Sequence, residues 1–196
     1  MPEINSSSGG KKTLLLLAVV FVLPFTIAAT LHLLNIRPSG KSYGELITPP
    51  VALNIPALQD AQAKPFAATQ WQKKWNIVTI NRGACDDACQ ATTHLLSNVH
   101  ISLDKEFKRV QQILLLPIGA QANEIADLQK KNPDLIILSG GNEAAQFADK
   151  LEKLSKPQAI YLVDPLGNLM MQYPPNFEPK GLRSDLVRLL KNSWAG

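Results

Sequence analysis

The hydropathy pattern divides the chain into three stretches. Residues 13–34 (TLLLLAVVFVLPFTIAATLHLL) are apolar, with no acidic or strongly basic side chain. About 20 such residues carry a helix across the hydrocarbon core, so this run predicts a single transmembrane helix, kinked at Pro24. Signal-peptide cores are shorter, about 7–15 residues, which favours a retained anchor over cleavage near Ile27-Ala28-Ala29. Residues 35–68 lose all periodicity. Pro38, Pro49, Pro50, Pro56 and Pro65, with Gly40 and Gly44 between them, predict a semi-extended spacer. From residue 69 to the C-terminus, strand and helix signals alternate.

Residues 75–80 (WNIVTI) read as a buried strand, 81–84 as a loop, and the stretch from Cys85 to about residue 103 as a helix. A second strand follows at 110–116 (VQQILLL), closed by Pro117 and Gly119, then a short helix and a third strand at 135–138 (LIIL). Residues 142–154 are helical by period, with Asn142 as the expected N-cap. A fourth strand at 159–163 (AIYLV) turns through 164–167 into a hairpin strand at 169–173, where Met171 is expected to alternate with Leu169 and Tyr173 into the core. Leu182, Leu186, Leu189 and Leu190 mark one face of a closing helix. This order predicts an α/β three-layer sandwich, with helices on both faces of a mixed sheet. The expected organisation is a tail at 1–12, the membrane helix at 13–34, a spacer at 35–68 and a folded domain at 69–196.

Composition narrows the function. The net charge of +4 is modest and no Lys/Arg block forms, so nucleic-acid binding is set aside. Two cysteines exclude a disulfide-rich scaffold and any four-cysteine zinc or iron–sulfur site. Lys11 and Lys12 precede the apolar run and Arg37 and Lys41 follow it, so charge alone orients the helix weakly. A short N-terminus before a large domain is the usual layout of an N-in, C-out protein. The first 36 residues contain no Arg, unlike a mitochondrial transit peptide. The expected location is therefore the bacterial inner membrane, with a single pass through its lipid, the N-terminus cytoplasmic and the domain periplasmic.

The chemistry centres on Cys85 and Cys89. Four residues apart on a helix, they lie on one face at a separation a disulfide tolerates. The pair can act by thiol–disulfide exchange, hold one soft metal ion between two thiolates, or form a static bridge. Cys85, nearer the free helix end, is the expected attacking thiol. Asp86 and Asp87 add negative charge beside the sulfurs and Arg82 partly offsets it, which points to a mild redox couple or a metal clamp. His94 lies on another face of the helix and His100 returns to the cysteine face only about 16 Å along the axis, so neither completes a site with both sulfurs.

The anchor, the Pro-rich spacer, the first strand leading to Cys-x-x-x-Cys and the segment Tyr161-Leu162-Val163-Asp164-Pro165-Leu166-Gly167 together resemble the Sco-type proteins of cytochrome c oxidase assembly. More closely, Gly44-Glu45-Leu46-Ile47 and residues 161–173 (YLVDPLGNLMMQY) resemble a small bacterial transmembrane family associated with cytochrome oxidase biogenesis. The resemblance implies a thioredoxin-like fold, a role for Cys85 and Cys89 in thiol–disulfide exchange, and oxidase subunits or other assembly factors as partners. It also implies Cu(I) as the alternative ligand of the two sulfurs. The sequence departs from the Sco pattern where that family places a third, histidine ligand, because the chain there reads Ser155-Lys156-Pro157-Gln158. Pro157 resembles the cis-proline that faces the cysteines in thioredoxin folds, and Lys156 beside it is expected to stabilise a thiolate while opposing a cation. Three readings follow: a thiol–disulfide oxidoreductase for oxidase assembly, a two-thiolate Cu(I) chaperone, and a non-catalytic assembly protein with a structural disulfide.

Overall fold

The computed structural model describes residues 8–34, 42–116, 121–139 and 141–193. The start of the tail and of the spacer, Pro117, Gly119, Gly140 and the last three residues lie outside the described residues. The chain divides into two units, Met1–Lys41 and Ser42–Gly196. The first contains helix α1 (Ser8–Leu33), whose segment Gly10–Leu31 is long and apolar enough to cross a membrane. Thr26 and Thr30 donate their hydroxyls to the carbonyls of Leu23 and Thr26, at 2.9 and 2.7 Å. Both polar groups are thus satisfied within the helix, as a lipid environment demands.

The second unit runs β1 (Glu45–Ala52), β2 (Leu58–Gln59), β3 (Pro65–Phe66), α2 (Ala68–Trp71), β4 (Trp75–Ile80), α3 (Asp87–Ile101), a 3-10 turn (Asp104–Arg109), β5 (Val110–Leu116), α4 (Ala122–Lys131), β6 (Leu135–Ser139), α5 (Gly141–Leu154), β7 (Ile160–Val163), β8 (Asn168–Tyr173) and α6 (Pro179–Asn192). Six strands form one sheet in the order β1-β8-β7-β4-β5-β6. β4, β5 and β6 are parallel, whereas β7, β8 and β1 add on antiparallel. The parallel strands are covered on both faces, which is why β5 is buried at every position and reads as a near-continuous apolar run.

Pleat alternation sends neighbouring residues to opposite layers. Val78, Ile113, Leu115 and Tyr161 pack beneath α5 with Phe147 and Trp71. Ile77, Ile160 and Leu162 pack on the other side with Leu96 of α3 and Leu182 and Leu186 of α6, and Leu114 and Ile137 meet Ile125 and Leu128 of α4. The expected three-layer arrangement of a mixed sheet between helices is present.

Three local expectations need correction. Residues 45–66, expected within the spacer, carry β1, β2 and β3, and Leu53, Leu58 and Phe66 enter the core. Pro49 and Pro50 do not prevent this, because β1 is an edge strand and its register breaks between Leu46 and Val51. Leu169 and Met171 do not share a layer. The β7–β8 register shifts so that Leu162 opposes Met171 while Val163 opposes Leu169, a bulge that leaves Met170 over and turns Met171 into the layer of α3 and α6. Helix α5 begins at Gly141, so Asn142 lies inside its first turn and does not cap it.

Candidate functional site

β4 delivers the chain to the C-terminal edge of the parallel strands. Asn81 then organises the loop, its Nδ2 donating to the carbonyls of Gly83 (2.9 Å) and Ala84 (3.1 Å). Helix α3 starts two residues later than its pattern predicts, at Asp87, because Asp86 caps it: the Asp86 carboxylate accepts the Cys89 N–H at 2.9 Å. Cys85 therefore stands just outside the helix and Cys89 in its first turn. Their Cα atoms are 5.1 Å apart and their sulfurs are bonded.

The two sulfurs have different surroundings. Cys85 is 9% exposed and belongs to the apolar cluster of Leu114, Leu116, Ile125 and Leu128. Cys89 packs against the edge of the same cluster but is only half-buried, and it lines an open groove of about 580 Å³, whose other walls include Thr79, Thr93, Pro157, Ile160 and Pro175. The residue expected to attack is thus the covered one of the pair.

The turn that closes this groove is fixed from both sides. Gln172 accepts the Lys156 N–H at 2.8 Å, and Tyr161 donates its hydroxyl to the Lys156 carbonyl at 2.8 Å. Gln158 takes a left-handed backbone conformation at φ 57°, which brings the chain round into β7. Pro157 does border the groove with Cys89, as its position in the sequence implies. It is not a cis-proline: among the described residues the cis peptide bond is Thr48–Pro49, and the turn at Lys156 is made by Gln158 instead.

Neither basic residue assigned to the thiols serves them. Arg82 borders the groove, but its guanidinium donates to Asp149 at 2.6 Å and Glu152 at 2.7 Å on α5, and these carboxylates push its pKa up. Lys156 pairs with Glu45 of β1 at 2.6 Å and, with Gln172, holds that carboxyl below the usual range. Both partners lie far off in sequence, so no local signal announces them. The charge beside the sulfurs is consequently that of Asp86 and Asp87.

Nor does a histidine join the site. His94 is exposed and borders a separate hollow with Lys131 and Asn132. His100 is buried at the far end of α3, where its ring stacks on Phe107 at 3.9 Å and its Nε2 meets the Phe107 carbonyl at 2.9 Å. Among the described residues no group of three or more His, Cys, Asp and Glu side chains is placed to hold a metal ion. Cys85 and Cys89, once reduced, offer two soft thiolates and no third donor of the Sco kind.

Residues 75–193 match the family model described as transmembrane-like, thioredoxin-like, C-terminal domain. No curated protein sequence matches the chain. Among solved structures, apo Sco1 from Thermus thermophilus is similar over 78% of this chain and 99% of its own, at 21% identity and a TM-score of 0.63. Copper-bound yeast Sco1 is similar over 79% of this chain and 96% of its own, at 17% identity and a TM-score of 0.61. BsSco, described as a cytochrome c oxidase assembly protein with a disulfide switch, is similar over 76% of this chain and all of its own (100%), at 17% identity and a TM-score of 0.58. At such identities the likeness is one of fold, and the match of β4 to α6 within a single family model carries the assignment: the chain belongs to the transmembrane-like, thioredoxin-like family, with a Sco-like sandwich behind an N-terminal apolar helix.

Proposed function

We propose that this protein is a membrane-anchored assembly factor for cytochrome c oxidase that acts by thiol–disulfide exchange through Cys85 and Cys89. Its anchor lies in the bacterial inner membrane, the N-terminus is cytoplasmic and the folded domain is periplasmic. The observation that carries this reading is a bonded cysteine pair beside the first turn of α3, one sulfur of which lines a groove bounded by Pro157. A bridge this short in sequence removes little chain entropy, so it stabilises the fold by no more than about 2 kcal/mol. A purely structural role is therefore a weak reason for the pair. The Sco-like fold of proteins described as oxidase assembly factors supports the biological setting.

Cu(I) is the second reading, and copper-bound yeast Sco1 favours it. Here the ion would be cargo held by the two thiolates alone. One experiment separates the readings: the purified full-length protein is equilibrated in glutathione redox buffers, with and without Cu(I). A midpoint above about −250 mV without tight copper binding is the expected result for an exchange factor. A tight one-to-one Cu(I) complex would move the assignment to a carrier. A bridge that resists reduction below about −300 mV and takes no metal would leave the pair structural and end both active readings.

A further inference from the structure

We propose that Cys89, not Cys85, is the sulfur through which the protein exchanges disulfides, and that Cys85 is the resolving thiol. This rests on the exchange function proposed above and reverses the order suggested by position along the helix. Displacement at a disulfide requires the incoming thiolate to reach one sulfur from outside, so access decides which one is attacked. Cys85 lies within the cluster of Leu114, Leu116, Ile125 and Leu128, contributed by β5 and α4, whereas Cys89 packs only against its edge. Cys89 opens onto the groove that also holds Pro157 and Pro175. At about 580 Å³ the groove leaves room beside Cys89 for a thiol carried on a larger molecule, and a protein dithiol is the co-reactant proposed.

With a protein dithiol as co-reactant the step balances. One partner thiolate attacks Sγ of Cys89, the Cys85–Cys89 bond breaks, and Cys85 leaves with the bonding pair and takes up a proton. The partner's second thiolate then attacks the partner's own sulfur in the mixed disulfide and releases Cys89 as a thiolate, which is protonated in turn. The partner is oxidised by two electrons and the pair is reduced by two. In the opposite direction the Cys89 thiolate opens a partner disulfide, and Cys85 closes back on Cys89 to release the reduced partner.

Full-length Cys85→Ser and Cys89→Ser variants, each reduced, are reacted with oxidised glutathione at neutral pH, and the mixed disulfide is timed by mass spectrometry. Cys85→Ser, which keeps Cys89, should react about tenfold faster than Cys89→Ser, and the ratio should fall to about one in denaturant, where burial is lost. In the wild-type oxidised protein, reduced glutathione should be trapped on Cys89 before Cys85. Equal rates in the folded variants, or faster reaction of Cys89→Ser, would overturn the assignment while leaving the exchange function intact. Failure of the wild-type pair and of both variants to exchange, with normal reaction in denaturant, would overturn the exchange function and this assignment with it.

Discussion

Asp185 brings a carboxylate into the packed side of α6, where it is 3% exposed. It accepts the backbone N–H groups of Tyr43 (2.8 Å) and Gly44 (3.0 Å) and the hydroxyl of Tyr173 (3.1 Å). One side chain thereby ties the entry to β1 and the end of β8 to the closing helix. Burial, reinforced by this carboxylate, pushes the Tyr173 hydroxyl strongly upward, so it remains a donor at every pH of interest. The junction has no slack: a Cβ on Gly44 would lie 2.5 Å from the Tyr173 ring and 2.8 Å from the Met171 methyl. Asp185→Ala leaves three donors without their acceptor, and should cost about 3 kcal/mol, whereas Tyr173→Phe removes one donor and should cost about 1 kcal/mol. Urea unfolding of the full chain measures both. A loss below about 1 kcal/mol for Asp185→Ala would mean that water replaces the carboxylate and that the junction is not held by it.

At the level of elements, α3 joins the site to the core at its N-terminus and ends on His100. Burial lowers the His100 pKa from its ordinary value of 6.5, against the weaker upward pull of the Phe107 and Val110 backbone and of Asp134. The unfolded chain therefore binds more protons than the folded one below about pH 6.5. Stability should be unaffected above that pH, fall as pH drops through the window beneath it, and level off once the folded-state pKa is passed. His100→Gln should flatten this part of the pH–stability profile, and an unchanged slope in the variant would assign the loss to other groups. How legible each element was follows from its surroundings. β4 and β5 end where their apolar runs end, since both faces are buried and apolar residues dominate each run despite Asn76, Gln111 and Gln112. β1 was illegible because edge position, not pattern, makes Pro49 and Pro50 tolerable there. The cysteine pair and Pro157 could be found from sequence, but the unequal exposure of the sulfurs could not. It is set by Ile125 and Leu128, which α4 supplies from some 40 residues downstream. Arg82 and Lys156 looked available to the thiols for the same reason: the carboxylates that hold them are distant in the chain.

For the whole molecule, the side of the membrane on which the domain lies decides how the pair rests. An oxidising periplasm maintains disulfides, so there the Cys85–Cys89 bond is the resting form and, under the exchange function proposed above, reduction by another thiol protein must precede each act of reducing a client. In a reducing cytosol the dithiol would be the resting form, and the same groove would serve to accept oxidising equivalents. The basic residues on both sides of the apolar run do not choose between these cases, so the proposed N-in arrangement calls for a direct test. With tags at both ends, protease added to spheroplasts should remove the C-terminal tag and spare the N-terminal one. Rapid alkylation of intact cells should find Cys85 and Cys89 largely protected as a disulfide. Loss of the N-terminal tag alone, together with freely alkylated cysteines, would place the domain in the cytoplasm, and a periplasmic role in oxidase assembly would then have no access to its clients.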